Sequence, residues 1–144
     1  MSERIALQRM LSCTAAIALM GVAVHAHHSI ASIYDSSRPV TVEGIVARFQ
    51  FVHPHPLLLV DVKDDAGRAQ PWRLEMDNLN ELVEIGVTAD TLKQGDRVVV
   101  RGSLSRKQPQ SLYLRRLDRP ADGFWYEQLG QRPTIGSSSP TRQP

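Results

Sequence analysis

The sequence predicts one mostly β domain, a small five-stranded barrel with a single short helix between its third and fourth strands. Three observations point there. Period-two alternation of apolar and polar residues recurs between positions 40 and 117. Turn signals, Asp64-Asp65-Ala66-Gly67 and Lys93-Gln94-Gly95-Asp96, interrupt it. A helix-capping pair, Asn78 with Glu81, occurs between them. At 144 residues the chain has room for one modest core.

Strand one follows a polar stretch. Val40 and Val42 share one face, but Ile45, Ala47, Phe49 and Phe51 continue on the other parity, with Gly44 where the change occurs. That pattern predicts a β-bulge at Gly44 in a long, bent strand. Strand two runs from Leu57 to Lys63 with Leu58, Val60 and Val62 inward, and the turn after it makes a hairpin. Strand three turns Trp72, Leu74 and Met76 inward and Arg73 and Glu75 outward, with Pro71 marking an edge or a strand start. After Asn78, Leu79, Leu82 and Val83 give a short helix an apolar stripe that ends at Gly86, and residues 88–92 could add a turn. Strand four alternates Val98, Val100, Gly102 and Leu104 inward against Arg97, Val99, Arg101 and Ser103 outward. Strand five runs from Ser111 to Leu117 with Leu112 and Leu114 inward. The order β-β-β-α-β-β with a long bulged first strand is that of the Greek-key barrel called the OB-fold. Five short strands in so small a chain need their edges closed or covered, which favours the barrel over an open α+β hairpin sheet.

The boundaries follow from composition. Residues 1–26 have the anatomy of a cleavable signal peptide: Arg4 and Arg9 at the start, an apolar run from Met10 to Val24 too short to span a bilayer, and small residues around Ala26. Residues 27–38 read as an irregular N-terminal arm, 39–120 as the barrel, and 121–144 as an aromatic patch, Phe124-Trp125-Tyr126, followed by a disordered tail. The lone cysteine, Cys13, falls in the leader, so the mature chain has no thiol and its stability rests on packing. Of the net charge of +2, the leader carries +1, and the nearly neutral remainder has no global field for gripping nucleic acid.

All five histidines lie between positions 25 and 55. His53-Pro54-His55 on an extended segment would project two imidazoles to one side, where they can share a metal ion. Cleavage after Ala26 would make His27 the first residue, and its α-amine, which loses its proton near neutral pH, could chelate together with the imidazole. Cleavage after Ala23 would destroy that chelate. Such a nitrogen-rich set suits copper or zinc rather than calcium or magnesium. The competing reading is that His53 and His55 only hydrogen-bond a turn. The acidic residues are dispersed through turns and caps, and no acid-base pair or Ser-His constellation with an orienting third group is present, so an enzyme is not expected. A basic stretch on strands four and five, with Arg97, Arg101, Arg115 and the adjacent Tyr113, is the candidate surface for an anionic polymer.

These motifs together carry a resemblance. His27-His28-Ser29, Tyr34-Asp35, His53-Pro54-His55 before Leu59-Val60-Asp61-Val62, and Leu92-Lys93-Gln94-Gly95-Asp96 before Val98-Val99-Val100-Arg101-Gly102 resemble a family of small exported proteobacterial proteins, domain of unknown function 6152. The resemblance covers about positions 27–118 and implies a periplasmic OB-like domain with no assigned activity. His27, His28 and His55 match the family motif. His53 stands where the family usually has asparagine, and Pro56 and Leu57 stand where small and aromatic residues are common. The expectation is therefore an exported, periplasmic, non-enzymatic binding protein holding copper or zinc through His27, His28 and His55, with His53 assisting. The alternatives are an accessory protein for another exported enzyme, docking through its arm, and an OB-type binder of an anionic polymer. Nucleic acid is not an expected partner.

Overall fold

The computed structural model describes residues 29–130 and 132–138. The chain divides between Ile30 and Ala31, and the sheet belongs to the second unit. The elements are α1 (Ser29–Ile33), β1 (Tyr34–Gln50), β2 (Leu57–Lys63), β3 (Ala69–Glu75), α2 (Leu79–Glu84), β4 (Arg97–Ser105), β5 (Ser111–Arg119), β6 (Phe124–Glu127) and β7 (Thr134–Ser137). The protein is mostly β. Seven strands form one sheet in the order β3-β2-β1-β4-β5-β6-β7, neighbours antiparallel, and β3 also pairs in parallel with the start of β5. Among the described residues no helix is long and apolar enough to cross a membrane. The predicted signal peptide lies outside them.

β2 has the predicted bounds, and Leu58 and Val60 are fully buried. Asp64 closes its hairpin by accepting from the backbone N–H groups of Ala66 and Arg68, while Gly67 takes φ +76°. α2 is capped as its sequence predicts, with Asn78 Oδ1 accepting from the Glu81 N–H at 3.0 Å. Leu82 buries the helix against the core and Gly86 ends it at φ +90°. Residues 88–92 form turns and no further helix, held by the Thr91 hydroxyl accepting from the Thr88 N–H. The core joins Val42, Val46, Leu58, Val60, Leu74, Met76, Leu82, Val98, Val100, Leu112, Leu114 and Leu117.

Four expectations are corrected. β1 starts at Tyr34, inside the stretch expected to be an irregular arm. Tyr34 and Asp35 pair with Ser105 and Leu104, pairing resumes at Pro39, and Ser36-Ser37-Arg38 are an excursion between. Polar composition hides this strand because its register comes from backbone hydrogen bonds and Tyr34 alone of its first six residues is buried.

The bulge in β1 is at Ala47 rather than Gly44, since Val46 opposes Val60 and Arg48 opposes Leu59. Ile45 accordingly faces outward, 44% exposed. Gly44 is required for another reason: a Cβ there would stand 2.5 Å from the Asp61 carbonyl oxygen.

A second bulge divides the β4–β5 ladder. Arg101 opposes Arg116 and Gly102 opposes Leu114, leaving Arg115 as the extra residue. The extra residue shifts the parity of β5, whose core residues step from Leu112 and Leu114 to Leu117, and in β4 Ser103 and Ser105 are buried while Leu104 is only half-buried.

The region expected to be a patch and disordered tail carries two strands. β6 pairs with the end of β5, and β7 with β6. Tyr126 is 1% exposed in the core, and the Trp125 ring lies across Gly136, where a Cβ would clash with it. Thr-Ile-Gly-Ser has little to bury by itself, so this strand depends on its partner.

Candidate functional site

The loop after β1 carries the two described histidines. Its backbone is pinned to the far end of β3 and the start of α2: the Pro56 carbonyl accepts from the Met76 N–H at 3.0 Å, and the Pro54 carbonyl accepts from the Leu79 N–H at 3.0 Å. Residues 53–55 therefore bend, and the His53–Pro54 peptide is cis. This corrects the extended His-x-His segment: the alternation that would aim both imidazoles to one side does not apply to a bend. His53 is exposed and His55 half-buried.

His55 has defined partners. Its Nδ1 lies 3.2 Å from the Met76 carbonyl oxygen. A carbonyl can only accept, so Nδ1 carries the proton, and in the neutral ring Nε2 holds the lone pair. Glu75 Oε1 stands 3.9 Å from the same nitrogen. The other Glu75 oxygen accepts from the Tyr34 hydroxyl at 2.6 Å. Burial, and then that bond to Glu75, push the Tyr34 phenol well above its usual value. Tyr34 is 6% exposed and packs its ring 5.7 Å from that of Tyr113. Tyr34, Glu75, Arg73 and Ser105 line a cavity of about 330 Å³. Two strands and a loop thus build one line of groups, Tyr34 to Glu75 to His55. His27 and His28 lie outside the described residues. Among the described residues no three His, Cys, Asp or Glu side chains gather as a metal-binding group.

The predicted basic surface divides. Arg97 is tied to Glu43 through Nε at 2.8 Å and Nη2 at 2.5 Å, and lines a separate cavity of about 320 Å³ with Asp61 and Lys63. Tyr113 is 2% exposed, which removes it as a stacking platform, and burial raises its phenol well above the ordinary range. It is buried because Tyr34 covers one part of its ring while the Arg115 guanidinium lies 4.8 Å from the ring centroid. Arg101 and Arg115 do come together, with Arg116, around a cavity of about 550 Å³.

Sequence reasoning missed Glu75 and Tyr34 as members of these sites, and placed Arg116 in the basic stretch of strands four and five without its junction to Arg115. Tyr34 was visible as part of Tyr34-Asp35, but its partner is 41 residues away. Glu75 looked like any outward strand carboxylate, and Arg116 joins Arg115 only because of a bulge that no local pattern announces.

Comparison with known proteins agrees with the resemblance. The model of a family of unknown function, DUF6152, matches residues 15–112, and the chain belongs to that family. The comparison with curated proteins gives no match. Among solved structures, the crystal structure of TiaS in complex with a tRNA and ATP aligns over 77% of this chain at 14% identity and a TM-score of 0.43. The chain spans 30% of the length of that one, a likeness too weak to bear on fold or ligand.

Proposed function

We propose that this member of the family is an exported, non-enzymatic binding module of the periplasm that holds a transition metal, copper or zinc, at His55 together with His27 and His28. The observation that carries the reading is the His55 hydrogen bond to Met76. A histidine that donates Nδ1–H to a backbone carbonyl has its ring oriented and its Nε2 left as the donor atom, the arrangement typical of metal-ligating imidazoles. Glu75, itself held by Tyr34, adds a carboxylate that favours positive charge nearby. His28 precedes Tyr34 by only six residues in the chain, so a short segment separates the matched His27-His28 pair from the Tyr34–Glu75–His55 line. His53, exposed and outside the family motif, is an accessory donor at most.

The scaffold in this proposal is OB-like. The pairings β1–β2, β2–β3, β3–β5, β5–β4 and β4–β1 return to their starting strand, which supports a five-stranded closed barrel with β6 and β7 as an added hairpin. Export is supported by the charged start, short apolar run and small-residue site of residues 1–26.

The test is titration with copper(II) and with zinc of protein recovered from an exporting host, its N-terminal residue fixed by mass spectrometry. Binding tighter than about 1 μM that is lost in His27→Ala, His28→Ala and His55→Ala is the expected result. Weaker binding, or binding indifferent to these substitutions, removes the metal and leaves a protein partner as the ligand to seek.

A further inference from the structure

We infer that the protein has a second, independent binding site for a small organic anion, a carboxylate or a phosphate ester, at the β4–β5 bulge. The site is a consequence of register. In a regular ladder Arg115 and Arg116 would point to opposite faces. Because Arg115 is the extra residue opposite the Arg101–Gly102 step, both line the same cavity as Arg101.

The three guanidinium groups are not equivalent. Arg116 is neutralised by Asp118 at 2.7 Å and by Glu127 at 3.4 Å, and it lies over the Trp125 ring at 4.7 Å. Arg115 is held over Tyr113 and donates to the Gln128 carbonyl at 3.4 Å, with no carboxylate in ion-pair range among the described residues. Arg101 is exposed, directly opposite Arg116, and likewise has no carboxylate partner among the described residues. Two unneutralised guanidinium groups, one preorganised by an aromatic ring, supply the paired donors that carboxylate and phosphate oxygens accept.

The remaining wall gives the ligand its other half. The floor at Gly102 is bare backbone, and a Cβ there would strike the Tyr113 carbonyl oxygen. Pro39 and Leu129 line the rim, and Leu129 is 75% exposed. A cavity of about 550 Å³ is in the range of small-molecule sites. The charged end of the ligand lies between Arg101 and Arg115, and its apolar remainder against Leu129. This site shares no residue with the His55 line, so either can fail alone.

The test follows the full chain by 15N–1H spectra, including the arginine Nε–H signals, during titration with phenyl phosphate and, separately, inorganic phosphate. Expected are saturable shifts confined to Arg101, Arg115, Arg116 and the Gly102 and Ser103 amides. Phenyl phosphate should bind more tightly than inorganic phosphate, and Arg101→Gln should weaken it about ten-fold, as for loss of one charge-assisted contact. Arg97→Gln, which lies outside the cavity, should leave the affinity unchanged. No saturation below about 10 mM, or equal weakening by Arg97→Gln and Arg101→Gln, overturns the site, because a nonspecific basic surface would behave that way.

Discussion

The Tyr34 hydroxyl donates to Glu75 Oε2 at 2.6 Å, joining the first residue of β1 to the last residue of β3. This bond fixes the carboxylate that stands beside His55 and ties the start of the chain's sheet to a strand two places away in the ladder order.

Replacing Tyr34 by Phe keeps the buried ring and removes that donor. The expected loss is about 1.5–3 kcal/mol, the range for a hydrogen bond to a charged acceptor. Chemical denaturation measures it. A change below about 0.3 kcal/mol would mean the bond contributes nothing net.

Gly44→Ala should be far more damaging than its size suggests. The added methyl meets the Asp61 carbonyl oxygen at 2.5 Å and Val60 Cγ1 at 2.6 Å, and neither a backbone atom nor a fully buried valine can move aside cheaply. The cost should be on the order of 2 kcal/mol or more, read as a lowered denaturation midpoint with an unchanged slope. Gly67→Ala, at a site with open space but φ +76°, should cost about 1 kcal/mol, from backbone strain alone.

The three tyrosines of the chain, Tyr34, Tyr113 and Tyr126, all have phenol values raised above 10.0, in each case chiefly by burial. The unfolded chain loses these protons from about pH 10, while the folded one keeps them. Stability from this source is therefore complete below pH 10 and declines as the pH rises beyond it. Phenolate absorbance should show no step near pH 10 and should rise only with cooperative alkaline unfolding. A titration of even one tyrosine in the folded protein near pH 10 would contradict the burial.

Ending the chain after Ala121 should destabilise the sheet, because it removes β6, β7 and the core side chain Tyr126. Burial of that ring alone is worth roughly 2–3 kcal/mol. An unchanged denaturation midpoint would show that residues 122–144 are dispensable to the fold, as a disordered tail would be.

Much of the fold was legible in local pattern. Alternation located β2 and β3 and the inward Val98 and Val100 of β4, and Asn78 with Glu81 announced α2, because strand period and helix capping involve residues within a few positions of one another. The candidate site was legible in part. His55 was singled out by its spacing and by the family resemblance, and Arg101 and Arg115 by their charge.

Local pattern and motif order suffice for a mostly β domain of a recognisable family, with histidines gathered near its start and arginines near its end. Which of these residues meet is settled by strand pairing across the sheet. Bulges at Ala47 and Arg115 reset which face each side chain occupies, and a one-residue slip inverts every position beyond it. Whether a bulge falls at Gly44 or Ala47 depends on the partner strand, which local alternation does not contain. The burial of Tyr113 has the same origin: it depends on Tyr34, distant in sequence and brought close by strand pairing.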